Sequence, residues 1–397
     1  MSKKSCTQPI FLNSAGVICS LGSGIENIKD HLFSADKEIT YLKHSPRYST
    51  EKDLLLGTVD DPLAPVPIPE ENTRNNRMLT TASEPLLSEI QLLKERFGPQ
   101  RIATVIGTST SGISDGEEAM RYHKKQNKFP SNYHYRMQEP SSPSRFIAKW
   151  LGLRGPSFSV SSACTSGAKA LASAARLLQL DVCDAVIAGG VDTLCNMTVQ
   201  GFSSLLVTTN SICNPFSINR DGINIGEGAG LFLLTREPGP VRLAGIGETS
   251  DAYHISAPHP EGKGAENAMR QALQQAGMKP EAIQYLNLHG TGTEQNDKME
   301  ARAVQRVFGS DIACSSTKPL TGHTLAAAGA IEAVFCWLAL QRLDGRLPPH
   351  RWDGQADPEL PVLSGIMTTK LGEKLTTAMS NSFAFGGNNA SLILVRE

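Results

Sequence analysis

Cys164 sits where a short β-rich run, Phe158 to Val160, passes through Ser161, Ser162 and Ala163 into a segment with alanine and leucine recurring on one helical face. The first N–H groups of a helix lack internal partners, and the helix dipole there favours negative charge. A thiol so placed has its pKa lowered, and the thiolate is the nucleophile. Small neighbours allow a substrate to approach closely. A lone cysteine is, however, most often a small buried hydrophobe packed on a helix. Three other stretches also join small residues to reactive groups: LHGTGTEQND with His289, SSTKPLTGHTLAAAGAIE with Lys318 and His323, and NSFAFGGNNA near the end.

The elements that must position these groups alternate between strand and helix. Pro9 to Ser20 predicts an opening strand, followed by a helix over 22–33. Residues from about Lys37 to Glu71 are irregular and proline-containing, which predicts a surface excursion. A helix is expected within 72–97, a strand at 103–106 ending in the small-residue turn Gly107 to Gly112, and helices at 117–127 and 143–151. After the Cys164 helix, DAVIAGGVD (184–192) predicts a buried strand. Gly226, Gly228 and Gly230 lead into the apolar strand LFLL. They lack the lysine and hydroxyl of a phosphate loop, so close backbone packing is the expected role.

The second half, from Val241, repeats the alternation. Strands are expected at 241–250 and 283–288 (ending at His289), helices at 265–276 and 298–308, and a short strand at 312–316. Residues 325–340 form a helix apolar nearly all round, expected at the centre of the molecule. Two strands close the chain around FGGNN. Alternating strands and helices imply an α/β fold with covered sheets. No residue-level repeat is visible.

Bulk properties narrow the function class. A chain of 397 residues can form two domains or one large duplicated fold. A net charge of −1, with 40% hydrophobic and 19% charged residues, predicts no general attraction to nucleic acid or membrane. The scattered cysteines, Cys6 among them, show neither CxxC nor zinc-ligand spacing, which predicts no metal and a reducing, cytoplasmic location. Polar residues interrupt the apolar start, which argues against a signal peptide, and no apolar run approaches the ~20 residues of a membrane span.

Taken in order, the four reactive stretches resemble those of the β-ketoacyl-acyl carrier protein synthases, the elongating condensing enzymes of fatty acid and polyketide synthesis. The likeness covers nearly the whole chain. It implies a thiolase-like five-layered αβαβα fold of two related halves, here 1–240 and 241–397, and a dimer. That dimer is either a homodimer or a heterodimer with a catalytically dead homologue, a chain-length factor. DAVIAGGVD is apolar enough to lie at its two-fold axis.

The resemblance implies roles residue by residue. Cys164 would take the acyl group from the phosphopantetheine of an acyl carrier protein. His289 and His323 would donate hydrogen bonds to the enolate formed when malonyl carrier protein loses carbon dioxide. The N–H groups of Cys164 and Phe385 would meet the oxyanion of condensation, with Phe383 and Phe385 in a gate loop whose glycines permit motion. Lys318 would tune the site's field, paired with Glu332 or Glu300, while Thr291 and Thr293 would contact the pantetheine arm. Arg74, Arg77, Arg121, Lys124 and Lys125 would form a basic docking rim for an acidic carrier. No cofactor is implied.

Two departures stand out. The gate has Asn388–Asn389 where many relatives have Thr-Asn, and the pocket turn Gly107 to Gly112 is rich in serine and threonine. Both leave room for a specialised pathway, such as polyene or polyketide assembly, beside housekeeping fatty acid synthesis. Other members of the superfamily fit less well. A thiolase uses a second, late cysteine, and none follows Cys336. A coenzyme A-primed initiating synthase uses a Cys-His-Asn triad, and a chain-length factor or other non-catalytic scaffold lacks the nucleophile.

Overall fold

The computed structural model describes residues 8–34, 40–48 and 53–397; Cys6 and the start of the chain lie outside them. The first half runs β1 (Phe11–Cys19), β2 (Gly22–Ser23), α1 (Ile25–Leu32), β3 (Lys43–His44), β4 (Leu55–Leu56), α2 (Arg74–Ser83), α3 (Leu87–Phe97), β5 (Ile102–Gly107), α4 (Ile113–Gln126), α5 (Ser142–Leu151), β6 (Ser157–Val160), α6 (Ser166–Gln179), β7 (Ala185–Asp192), α7 (Asn196–Ser204) and β8 (Gly228–Thr235). The second runs β9 (Val241–Ser250), α8 (Lys263–Ala276), β10 (Tyr285–Asn287), α9 (Glu294–Phe308), β11 (Cys314–Ser315), α10 (Lys318–Thr321), α11 (Ala328–Gln341), β12 (Thr377–Phe383) and β13 (Asn388–Arg396).

The duplication that no residue repeat reveals is plain in the strand order. The first half lies as β6-β5-β7-β8-β1 and the second as β11-β10-β12-β13-β9. Leaving out the short β2, β3 and β4 and counting these five strands in each half, both read third, second, fourth, fifth, first. Directions match as well: β5 is parallel to β6 and β7, as β10 is to β11 and β12, and the remaining pairs are antiparallel. A short pairing of Phe11 and Leu12 with Arg242 and Val241 joins the halves.

Side-chain alternation along the strands sorts the core into layers. Ile102 and Ile106 of β5 pack outward with Met78, Leu79 and Phe146 of α2 and α5. Ala103 and Val105 face inward, with Ala170, Leu171 and Ala174 of α6 and Val334 and Phe335 of α11. Leu392 and Leu394 of β13 join that central cluster, while Ile393 faces Met269 and Leu273 of α8 on the far side. The result is helix, sheet, paired central helices, sheet, helix, the thiolase-like αβαβα arrangement. α11 is buried along almost its whole length, as an all-round apolar helix requires.

The glycine-rich entry to β8 serves close packing. A Cβ on Gly226 would stand 2.3 Å from the carbonyl oxygen of Thr321, and one on Gly230 would stand 2.8 Å from the Ile331 nitrogen. Two expectations need correction. The irregular stretch before residue 71 is not only surface: Tyr48, Leu54, Leu56 and Val59 are buried, and the Gly57 N–H donates to the Ile225 carbonyl. DAVIAGGVD cannot lie at a two-fold axis, because β7 is paired on both sides, by β5 and β8. Among the described residues the sheet ends at β11, which is buried, and at β6, which pairs only with β5 and leaves Phe158 38% exposed.

Candidate active site

The strand-to-helix turn places Cys164 two residues before α6 and behind Ala163, whose φ of 51° is the left-handed backbone that a Cβ disfavours. That turn directs the thiol into the molecule. Cys164 is buried, and its Sγ lies 2.9 Å from Nε2 of His323. The Phe385 N–H is also directed at the thiol and favours its ionised form. The net effect nonetheless reverses the sequence expectation. Burial pushes the Cys164 thiol up to about 12, against a smaller downward pull from Lys318. Proximity to a helix start does not offset desolvation here, so the thiol is protonated and hydrogen-bonded to an imidazole.

His289 follows β10 at the edge of the same cavity, its ring perpendicular to that of His323 with centroids 5.2 Å apart. Burial, and then the charge of Lys318, hold both histidines well below their usual range, so both rings are neutral. Lys318 Nζ lies 3.5 Å from Nδ1 of His289 and also donates to the His289 carbonyl. An ammonium at Nδ1 leaves the ring proton on Nε2, the nitrogen available to a substrate. Nδ1 of His323 has no partner among the described residues, so its tautomer is unlocked.

The two candidate carboxylates divide. Glu332 pairs with Lys318 at 2.7 Å in a fully buried ion pair. Glu300 instead accepts from the N–H groups of His289 (2.8 Å) and Gly290 (2.7 Å), which fixes the backbone that carries the ring. Burial raises the Glu300 carboxyl to about 7. Asp297 likewise accepts from Phe216 and Gly292. Cys164 Sγ and one nitrogen of each histidine lie within 4.8 Å of one another, a donor set that also suits a soft cation. Lys318 sets a positive charge against that use.

The cavity above these groups has a volume of ≈ 400 Å³. Thr291 and Thr293 line it, joined by a 2.9 Å hydrogen bond, as do Phe383 and Phe385. Phe385 faces Phe202 of α7 at 5.5 Å, and Phe383 stands 6.1 Å from His289. Gly386 and Gly387 have φ of 79° and 73°, so the loop needs glycine at both positions. Asn389 binds Asp251 at 2.8 Å and Asn388 accepts from Lys169 at 2.7 Å.

Other expected residues fall elsewhere. The turn Gly107 to Gly112 does not line this cavity; the hydroxyl of Ser111 is spent on the Met137 and Glu139 carbonyls, and those of Thr108, Ser109 and Thr110 on Asp192. That buried carboxylate accepts from the N–H and hydroxyl groups of Ser109 and Thr110, from the Thr108 hydroxyl, and from the Ala326 N–H just past His323. Arg74 is not part of an open basic rim: Glu227 and the Val59 carbonyl hold its guanidinium. Arg77 is half-buried, and Arg121, Lys124 and Lys125 are exposed on α4. The sequence reading missed Asp192 and Asp251. An acid ending a wholly apolar strand was the available signal for Asp192, since such a group must find donors.

Residues 14–238 match the family model "Beta-ketoacyl synthase, N-terminal domain", and residues 241–351 match "Beta-ketoacyl synthase, C-terminal domain". The chain is 35% identical to 3-oxoacyl-[acyl-carrier-protein] synthase 2 of Staphylococcus aureus over 333 residues, 79% of this chain and 81% of that one. It is 32% identical to Nodulation protein E of Rhizobium leguminosarum bv. trifolii, over 96% of this chain and 98% of the other. Among solved structures, a ketosynthase (ApeO) in complex with its chain length factor (ApeC) from Xenorhabdus doucetiae superposes with a TM-score of 0.93. That match has 42% identity and covers 100% of both chains.

Proposed function

The chain belongs to the β-ketoacyl synthase family, and from that premise we propose that it is a 3-oxoacyl-acyl carrier protein synthase, an acyltransferase that condenses malonyl carrier protein with an acyl group held on Cys164. The observation that carries this reading is the contact of Cys164 Sγ with a neutral His323, beside a neutral His289 whose proton is held on Nε2 by Lys318.

In the first half-reaction Nε2 of His323 accepts the thiol proton as sulfur attacks the acyl thioester. The S–C bond to Cys164 forms, the bond to pantetheine breaks, and the proton passes to the departing thiol. Malonyl carrier protein then loses carbon dioxide, and the electron pair moves onto the thioester oxygen as an enolate. Nε2–H groups of His289 and His323 donate to that oxygen; the unlocked tautomer of His323 lets one nitrogen accept first and donate later. The enolate carbon attacks the acyl carbonyl, whose oxyanion is met by the N–H groups of Cys164 and Phe385. The cysteine thiolate leaves, and the β-ketoacyl carrier protein is released. The chemistry calls for no metal or organic cofactor beyond the substrates' own phosphopantetheine, which Thr291 and Thr293 would flank.

Phe385 gates the site. Over an unloaded thiol its ring excludes malonyl carrier protein, and a bound acyl chain displaces it, at ~0.8 kcal/mol per buried CH₂. Exposed Arg121, Lys124 and Lys125 supply basic charge for an acidic carrier.

The full-length likeness to a ketosynthase in complex with its chain length factor favours a heterodimer over a homodimer, and with it the specialised polyene or polyketide alternative that such a pairing accompanies in the sequence expectation. The chain retains Cys164, so it would be the active member, joined to its partner through the free edge of β6. Among the described residues no helix is long and apolar enough to cross a membrane, and the cysteines are free and buried, which supports work in the cytoplasm. The test is reconstitution: the protein, with and without a co-expressed chain-length factor homologue, is supplied with acyl and malonyl carrier proteins. Mass spectrometry should then show a β-ketoacyl carrier protein extended by two carbons. Absence of extension in both preparations would overturn the reading.

A further inference from the structure

Lys169 lies on α6, the helix that Cys164 introduces, and its Nζ donates to Oδ1 of Asn388 at 2.7 Å, a bond between residues 219 apart in sequence. Asn388 is the first residue after Gly386 and Gly387, and opens β13 opposite Ser250. Its backbone closes the base of the gate loop, with its carbonyl accepting from the Ala384 N–H at 2.8 Å. Its side chain therefore ties the downstream hinge of the loop to the helix behind the nucleophile. The next residue, Asn389, ties the same hinge to Asp251.

Lys169 is poorly placed to be an ordinary surface lysine. It is half-buried, and that burial holds its pKa below the usual range. The charges facing it are Glu248 on β9, which attracts, and Arg176 further along α6, which repels and is itself ion-paired with Glu248. With Glu248 so engaged, the Asn388 amide oxygen is the acceptor that keeps the ammonium in place.

We infer that Lys169 is a positioning residue for the gate: its bond to Asn388 latches the hinge of the Phe385 loop to the nucleophile helix and biases the loop closed until an acyl chain moves it. This rests on the gate reading above. An asparagine reaches Lys169 as a neutral acceptor, so the latch holds a charge-assisted hydrogen bond rather than an ion pair. Such a bond is strong enough to bias a two-state loop yet weak enough to yield to a bound chain.

The test measures carbon dioxide release from malonyl carrier protein without acyl primer, relative to condensation with primer. A purely structural role would not move this ratio in a folded variant. Lys169→Met should raise the ratio about tenfold, the shift expected from losing one charge-assisted hydrogen bond. Asn388→Asp should lower it by strengthening the latch, and should lose that effect when combined with Lys169→Met. Thermal melting confirms that each variant is folded, and Phe385→Ala serves as the control for the gate. If Phe385→Ala raises the ratio while Lys169→Met does not, the gate stands and the latch is wrong. An equal effect of Asn388→Asp with and without Lys169→Met would also overturn the latch. If Phe385→Ala leaves the ratio unchanged, the gate reading fails and the latch fails with it.

Discussion

Nε2 of His323 stands 2.9 Å from Sγ of Cys164 across 159 residues of sequence, so a thiol carried by one half of the duplicated fold meets an imidazole carried by the other. The two central helices bring this about: α6 begins just after Cys164, and α11 begins just after His323. Asp192, which ends β7, ties the approach to α11 to the turn after β5, since it accepts from the N–H groups of Ala326, Ser109 and Thr110.

The histidines should separate the half-reactions. His289 does not touch the thiol in the way His323 does, so His289→Ala should spare acyl loading of Cys164 while slowing malonyl decarboxylation by on the order of 100-fold, the worth of one oxyanion-type donor. His323→Ala should slow both. The rates of acyl-enzyme formation and carbon dioxide release, measured separately, check this.

The raised thiol pKa gives a pH signature. With Cys164 pushed up to about 12, almost all of it is thiol at neutral pH. The thiolate fraction should rise about tenfold per pH unit beyond the pH ~8.5 where a free cysteine levels off. Iodoacetamide alkylation of Cys164, followed by peptide mass spectrometry between pH 7 and 10, should therefore climb without a plateau. Levelling below pH 9 would show an activated thiolate instead.

Lys318 and Glu332 form a buried pair whose members are each costly alone. Lys318→Met leaves an unpaired buried carboxylate and should destabilise the fold by about 3–5 kcal/mol in urea denaturation. Lys318→Met combined with Glu332→Leu should recover most of that stability. Decarboxylation should stay impaired in the double variant, because Nδ1 of His289 has lost the cation that orients its proton. Recovery of both would show that the pair serves stability alone.

Much of this arrangement was legible in the sequence, and the rest was hidden for physical reasons. Cys164, His289, Lys318 and His323 stand in short stretches of small residues, a pattern that survives reading one residue at a time. Strand and helix alternation gave the fold class, and the all-round apolar character of 325–340 placed α11 at the centre. The duplication is written in strand order, which exists only after folding. The thiol's pKa depends on burial that no local stretch encodes, and that burial outweighs the helix start. Arg74 read as a free basic residue because Glu227, its partner, lies 153 positions away.

The subunit contact proposed above uses the outer edge of β6, which has no strand partner beyond β5 among the described residues. Phe158→Glu places a charge on that edge and should abolish association with a second subunit while leaving the monomer's circular dichroism unchanged. Light scattering on the co-expressed pair measures it; an intact dimer would place the interface elsewhere.

The central claim, that Cys164 carries the acyl chain, is tested most directly by trapping it. The protein is incubated with acyl carrier protein in the absence of malonyl donor, digested, and mapped by mass spectrometry. The account predicts one acyl adduct, on the peptide containing Cys164, and none in Cys164→Ala. An adduct on Cys195 or Cys314, or condensation persisting in Cys164→Ala, would contradict it.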